Sequence, residues 1–336
     1  MTQRTGRYSA ALVGCGKIGS LFADDPLMRG DVFSHAEAYT VCPDTNLIAI
    51  VDPRIRALEK CGKRWGVARQ FLHAKEMMAS VNPDIVSVAT PTETHAWICR
   101  EVITAERPPR AILCEKPIAS TLEEAQQIVA LAREKGVVLV VMHMRRYANN
   151  MRRLRDFLKS GGIGELRNVS GWLTKGTVHN GTHWFDLLRY LVGEVRWVHG
   201  INSLCEDSDD PTLDVAMQLT NGMLATMRAA EHANFTICEM DIMGTKGRAQ
   251  IVDSSYQVNI SIAEPSARYT GYVELSRLPV DMGDRKDVML HAVEDIVHCL
   301  DTGDTPQSTG EDGVAALRIA LAAHESSRTG EVVELN

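Results

Sequence analysis

The chain has 336 residues, 45% of them hydrophobic and 24% charged, with a net charge of −7. A chain of this size buries large cores without disulfide or metal staples, and its length suggests two domains. The modest acidic balance excludes the clustered Lys/Arg surface of a nucleic-acid-binding protein, and no apolar run reaches the roughly 18 to 20 residues of a membrane span.

The opening MTQRTGRYSAALVG runs almost directly into a strand, without a signal-peptide apolar region or cleavage site. Residues 9–13 (SAALV) form that strand and end at Gly14-Cys15-Gly16-Lys17-Ile18-Gly19. Residues 47–51 (LIAIV) form a second strand, ending at Asp52, and residues 85–89 (IVSVA) a third, ending at Thr90-Pro91. Residues 111–114 (AILC) end at Glu115-Lys116-Pro117. Residues 137–142 (VVLVVM) follow the helical stretch LEEAQQIVALAREKG, whose Gly136 suits a C-terminal cap, and lead to His143. Short apolar runs separated by helical periodicity predict a parallel sheet covered on both faces. Ligands of such sheets bind at the carboxyl ends of the strands, where all these polar clusters lie.

The GxGxxG pattern gains meaning from its place directly after a strand, where it is expected to open a helix. Glycine lets the backbone approach a pyrophosphate, and the helix N-terminal N–H groups then bind the anion. Asp52 suits the 2′-hydroxyl of the NAD ribose and would repel the 2′-phosphate of NADP. It lies further along the chain than the about 20 residues usual for such an acid. The extra length falls in residues 22–34, where Asp24, Asp25, Pro26 and Gly30 predict a loop that interrupts the first helix. That loop either reaches a substrate pocket or is a surface elaboration. The eight cysteines, none in a CxxC pair, read as reduced and mostly buried thiols of a cytoplasmic protein.

In the second half, HNGTHWFDLLRYL (residues 179–191) has three readings. His179 and His183 stand four apart, as in helical metal pairs, but the intervening Glu is missing and no further ligand set has recognisable spacing. Trp184, Leu187, Leu188 and Leu191 have the spacing of a packed helix, which Gly181 predicts to begin only around His183. Asp186 then serves as a buried partner. His183, at the helix entry, has the chemistry of a general base.

GCGKIG, IVDP, ATPTETHA, CEKPIA, GTHWFDLLRYLVG and MGTKGRAQI together resemble the glucose-fructose oxidoreductase/inositol dehydrogenase/MocA family, from about Ala10 to Val333. The resemblance implies an α/β fold: an N-terminal Rossmann domain over residues 1–144, and a C-terminal α/β domain over 145–336 on an open, mostly antiparallel sheet. That sheet commonly makes a homodimer or homotetramer. LRNVSGWL, VRWVHGINSL, LDVAMQLTN, MLATMRAAEH, TICEMDIMG, AQIVD and YQVNISIAE fit as its strands, with Asn221-Gly222 as a hairpin turn. Two helical stretches, VMLHAVEDIVHCLDTG and GEDGVAALRIALAAHESSRTG, follow.

The resemblance also implies roles. Gly14, Gly16, Lys17, Ile18, Gly19 and Asp52 would hold NAD, with Thr90, Pro91, His95, Glu115, Lys116 and His143 further along it. His95 is open to two other readings, as a helix cap or as an exposed side chain. Lys116 would hold the reacting oxygen, and His183 would be the proton acceptor. Arg146 and Tyr147 would reach the substrate, while Arg145, Arg152, Arg153 and Arg155 form a solvated helix face or receive a phosphate. His179 stands where relatives carry Asp, so it and Asn180 are expected to contact substrate or shift the proton relay. No metal is expected. The implied activity is NAD-dependent hydride transfer at a secondary alcohol or ketone of a sugar, cyclitol or nucleotide-sugar. NAD-dependent glycoside cleavage and a non-catalytic dinucleotide sensor are the alternatives.

Overall fold

A computed structural model describes residues 7–28 and 30–335. The chain divides into two units. One takes the residues up to Tyr147 together with Lys286–Val314; the other takes Ala148–Arg285 and the chain from Ala315 onward.

The first unit is built on six parallel strands: β1 (Tyr8–Val13), β2 (Thr45–Val51), β3 (Arg69–Phe71), β4 (Ile85–Val88), β5 (Ala111–Cys114) and β6 (Val138–Val141). Their order is β3-β2-β1-β4-β5-β6. Every residue of β4 and β5 is buried, as continuous apolar runs covered on both faces require. The order reverses between β1 and β4, the switch point where such sheets bind ligands.

The connecting helices are α1 (His35–Val41), α2 (Ile55–Trp65), α3 (Ala74–Val81), α4 (Thr92–Ile103) and α5 (Leu122–Lys135). Thr121 and Glu124 close a capping box at the start of α5, and Gly136 (φ +66°) ends it in the left-handed conformation.

The glycine motif does not open a regular helix, contrary to the sequence expectation. Two short 3-10 turns, Leu21–Asp24 and Pro26–Met28, follow it, and α1 starts only at His35, capped by Ser34. The His35 N–H donates to Ile18 O at 3.1 Å and the Ala36 N–H to Gly19 O at 2.9 Å. Residues 22 and 23 would make these two bonds in an uninterrupted helix. The predicted excursion is therefore present, and α1 beyond it bonds back to the turn that precedes it. Phe22 and Phe33 meet edge to face at its base, with ring centres 5.6 Å apart.

In the second unit, α6 (Asn149–Lys159) and α7 (Gly181–Leu191) accompany a nine-stranded sheet. Its strands are β7 (Leu166–Leu173), β8 (Val195–Ile201), β9 (Asp214–Leu219), β10 (Leu224–Ala229), β11 (Cys238–Gly244), β12 (Gly247–Val252), β13 (Gln257–Pro265), β14 (Val273–Leu278) and β15 (Val333–Glu334). They run in the order β14-β13-β12-β11-β7-β10-β9-β8-β15, and only β7 and β10 pair in parallel. Gly222 (φ +87°) makes the expected hairpin turn between β9 and β10.

One face of this sheet is packed. Val169 and Leu173 of β7 point inward, and a side chain at Gly171 would strike the Trp184 ring of α7 and the Glu239 carbonyl. The Trp184 indole N–H donates to that same carbonyl at 2.9 Å. The opposite face carries Asn168, Ser170 and Trp172. Of the C-terminal helices, α8 (Val288–Thr302) and the start of α9 (Gly310–Thr329) belong to the first unit, and the rest of α9 to the second. Grouping by packing thus differs from a linear division of the chain at 144/145.

Candidate active site

At the end of β1, the three motif glycines have different tasks. Gly14 sits at φ +103°, and a Cβ there would overlap the Ala89 carbonyl; a Cβ at Gly19 would overlap the Gly14 carbonyl. Gly14 thus lacks a side chain because the end of β4 packs against it, and Gly19 because the turn folds onto itself. A Cβ at Gly16 would meet nothing within 4 Å, so the turn has open space on that side. An exposed turn backbone with room beside it fits the pyrophosphate of a dinucleotide. The turn is tied to the next strand: the Gly14 N–H donates to Val51 O at 2.8 Å and the Cys15 N–H to Asp52 Oδ2 at 2.9 Å.

Asp52, directly after β2, is 2% exposed. Besides Cys15, it accepts from the Arg54 N–H at 2.9 Å and from Arg54 Nε and Nη2 at 3.0 Å each. Burial pushes its carboxyl up, but these bonds and the guanidinium charge outweigh burial and hold it below the usual range.

Thr90 and Pro91 follow β4, and Glu115, Lys116 and Pro117 follow β5 with a cis bond between the last two. Glu115 is buried. His35 Nε2 lies 3.1 Å from its Oε1, while His35 Nδ1 bonds the Ser87 hydroxyl at 2.8 Å, itself 2.7 Å from Tyr39 OH. The other Glu115 oxygen accepts from the Lys116 N–H at 3.3 Å. Burial raises the Glu115 carboxyl, yet the His35 bond and the charges of His35, Lys116 and His95 pull it below its ordinary value.

His95 on α4 is buried, which removes the exposed reading. Its Nδ1 lies 2.7 Å from Pro117 O and its Nε2 2.8 Å from Thr90 O. Both acceptors are carbonyls, so both bonds form together only when both ring nitrogens carry protons. His95 thereby ties the β4 end to the β5 end. Lys116 is half-buried on this same edge of the sheet.

His143 is buried directly beyond β6. A 3-10 turn, Met144–Tyr147, follows and carries Arg146 and Tyr147 inward. Arg146 bonds Asp312 in bidentate fashion at 2.9 and 3.0 Å and also Gln307 O at 3.0 Å. Tyr147 is fully buried, with its hydroxyl 3.4 Å from Asp295. Arg145 is buried as well, not on a solvated helix face, because this tight turn precedes α6. Arg152, Arg153 and Arg155 lie on α6, and Arg153 is exposed.

In the second unit, α7 begins at Gly181, two residues earlier than its glycine predicted. A π-helical turn, Gly176–Asn180, leads into it. Lys175 and Gly176 are both left-handed (φ +70° and +84°), and a side chain at Gly176 would overlap Asp210. Asp210 explains the turn: its carboxylate accepts from the Val178 N–H at 2.8 Å and the His179 N–H at 2.7 Å, with His324 Nε2 at 3.1 Å. Helix starts leave such donors without intrahelical partners, and here one acid takes two of them. Burial raises the Asp210 carboxyl, but His324 and the two N–H groups bring it below its ordinary value.

His179 is exposed on this turn, and the Asn180 amide donates to Thr174 O at 2.9 Å. His183 is buried in the first turn of α7, only 6% exposed. Asp186 is buried one turn on, 4.0 Å from Arg189. Among the described residues, no group of three or more His, Cys, Asp or Glu could hold a metal ion. In the first unit, the strand-end residues Asp52, Thr90, Glu115 and Lys116 gather along one edge of the parallel sheet, and in the second unit His183 lies in the first turn of α7.

Two family profiles match the chain. "Oxidoreductase family, NAD-binding Rossmann fold" covers residues 8–143, and "Oxidoreductase family, C-terminal alpha/beta domain" covers residues 174–335. Myo-inositol 2-dehydrogenase of Thermotoga maritima is 24% identical, over 96% of this chain and 97% of its own length. The 1,5-anhydro-D-fructose reductase of Ensifer adhaerens is 27% identical, over 80% and 85%. The WlbA dehydrogenase of Bordetella pertussis, solved with NADH and UDP-GlcNAcA, shares the fold with a TM-score of 0.80 at 20% identity, covering 99% of each chain. With both of its domains matched by the same family, the chain belongs to the glucose-fructose oxidoreductase/inositol dehydrogenase/MocA family of oxidoreductases.

Proposed function

We propose that this enzyme moves a hydride between a nicotinamide dinucleotide, with NAD preferred, and a CH–OH carbon of a sugar, cyclitol or nucleotide-sugar derivative. The observation that carries the reading is the strand-end edge of the first sheet. It combines a glycine turn open at Gly16, a buried Asp52 and a fixed Glu115-Lys116-Pro117 corner. The names of the inositol and anhydrofructose relatives support a polyol-type substrate.

In this reading the Gly14-to-Gly19 turn, with the Lys17 and Ile18 backbone, holds the pyrophosphate, and Asp52 takes the adenosine ribose. Thr90, Pro91 and His143 flank the dinucleotide, and Glu115 takes the second ribose. His95 acts through Thr90 and Pro117 as a positioning residue. The nicotinamide, when bound, supplies the hydride acceptor or donor. Lys116 steadies the substrate oxygen as negative charge develops on it, and His183 takes the hydroxyl proton. In the reducing direction the same groups work in reverse.

His179 and Asn180 contact substrate hydroxyls from the π-turn. Arg146 and Tyr147 shape the wall beyond His143. Arg146 reaches substrate only by leaving Asp312.

The open sheet face is our proposed homo-oligomer interface. Trp172, next to the C-terminal end of β7, is half exposed there and pairs with Arg228 on one side and Glu239 on the other. All eight cysteines are free thiols, seven of them buried, which suits a reducing cytoplasm. No helix among the described residues is long and apolar enough to cross a membrane.

The reading is tested by following NADH absorbance with a panel of inositols, aldoses, keto-sugars and nucleotide-sugars. NAD-linked turnover of at least one polyol is expected. Tight NAD binding with no turnover of any of them contradicts it.

A further inference from the structure

Asp52 and Arg54 do opposite things in dinucleotide sites. An acid at the end of the second strand selects NAD by accepting from the 2′-hydroxyl, whereas a nearby Arg accommodates the 2′-phosphate of NADP. This chain has both, and they hold each other through two bonds of 3.0 Å.

The two halves of the pair differ in freedom. The Asp52 side chain is buried and fixed by the Cys15 and Arg54 backbone N–H groups, whatever the guanidinium does. The Arg54 side chain is 68% exposed and, among the described residues, is held there by this contact with Asp52 alone. Ion pairs with an exposed member contribute little, because solvent screens them. The mobile member is therefore Arg54, and its planar fork fits a phosphate as well as a carboxylate. Exposed Arg56, in the first turn of α2, adds a second positive charge two residues along the chain. While Arg54 covers Asp52, the carboxylate's repulsion of a 2′-phosphate is largely cancelled.

We propose that Arg54 makes this a dual-cofactor site: it stays on Asp52 when a 2′-hydroxyl is present and turns onto the 2′-phosphate when NADPH binds. The proposal rests on the dinucleotide reading of the glycine turn and refines the preference expected from Asp52 alone.

The test is titration of wild type, Arg54→Ala and Arg54→Lys with NADH and with NADPH, read by nicotinamide fluorescence and by the shift in melting temperature. Wild type is expected to bind NADPH within about tenfold of NADH. The NADPH:NADH affinity ratio falls about tenfold or more in Arg54→Ala, the loss of a charge-assisted bond, and is partly restored in Arg54→Lys. NADPH binding also weakens more steeply with salt than NADH binding. Wild type binding NADH while rejecting NADPH by about a hundredfold or more overturns the proposal. So does an Arg54→Ala variant that weakens both dinucleotides equally. Binding of neither dinucleotide overturns the underlying reading together with the proposal.

Discussion

At the scale of single residues, the glycine motif separates folding from binding. Gly14 has a left-handed φ and no room for a Cβ, whereas Gly16 has open space. Gly14→Ala is therefore expected to fold poorly. Gly16→Ala should keep its melting temperature, or gain the ~0.4–1 kcal/mol that a tolerated Gly→Ala change contributes through the unfolded chain. It should still lose about tenfold or more in NADH affinity, since the methyl would stand in the space proposed for the pyrophosphate. Melting curves and NADH titrations of the two variants check this, and equal behaviour of both would count against the cradle. The positions of Asp52, Thr90, Glu115 and Lys116 were readable from the sequence because a strand's last apolar residue marks its carboxyl end. Their partners were not. His35 meets Glu115 across 80 residues, and Arg146 meets Asp312 across 166. Periodicity reports local structure and is silent on such pairs. Hence Arg146, read as a substrate contact, is found with its fork already on a carboxylate.

At the scale of elements, the excursion over residues 22–34 is the clearest case. Its existence followed from Pro26, Gly30 and the overlong spacing to Asp52, but its geometry did not. The bonds from His35 and Ala36 back to Ile18 and Gly19 make it a detour between two segments of one helical path. Excision of residues 22–34 should therefore rejoin those two segments, at the cost of the Phe22 N–H bond to Lys17 O, and give a folded protein that binds NADH within a few-fold of wild type. Circular dichroism and NADH titration of the excised chain check this; an unfolded product would show that the excursion is part of the core. The excised chain loses the Val32–Asp287 and Asp31–Asp287 bonds to the start of α8, so a lower melting temperature is expected. The π-turn at Gly176–Asn180 lay beyond sequence reading for a similar reason. Gly181 alone predicted a late helix start, whereas Asp210, 31 residues beyond His179, supplies the acceptor that lets the turn form.

At the scale of the whole molecule, three buried or half-buried carboxyls, Asp52, Glu115 and Asp210, are held below their ordinary values. The folded chain then binds fewer protons than the unfolded one near pH 4. Their contribution is complete above the unfolded carboxyl range, roughly pH 5 and higher, and declines as pH falls through it. Melting temperature should drop on acidification from pH 7 to pH 4. Glu115→Gln should start lower, by about 1–3 kcal/mol for a disturbed buried charged bond, and fall less steeply. An unchanged slope in that variant would remove Glu115 from the account.

The central claim is that Lys116 steadies the reacting oxygen of a secondary alcohol. It is tested most directly by steady-state turnover of Lys116→Met at saturating NAD with the best polyol of the panel, on protein shown by fluorescence to bind NADH. The account predicts a loss of about 10²–10³-fold in kcat, the cost of removing one preorganised donor from a developing oxyanion. Turnover within about twofold of wild type, on the scale where tenfold is 1.4 kcal/mol, would contradict it.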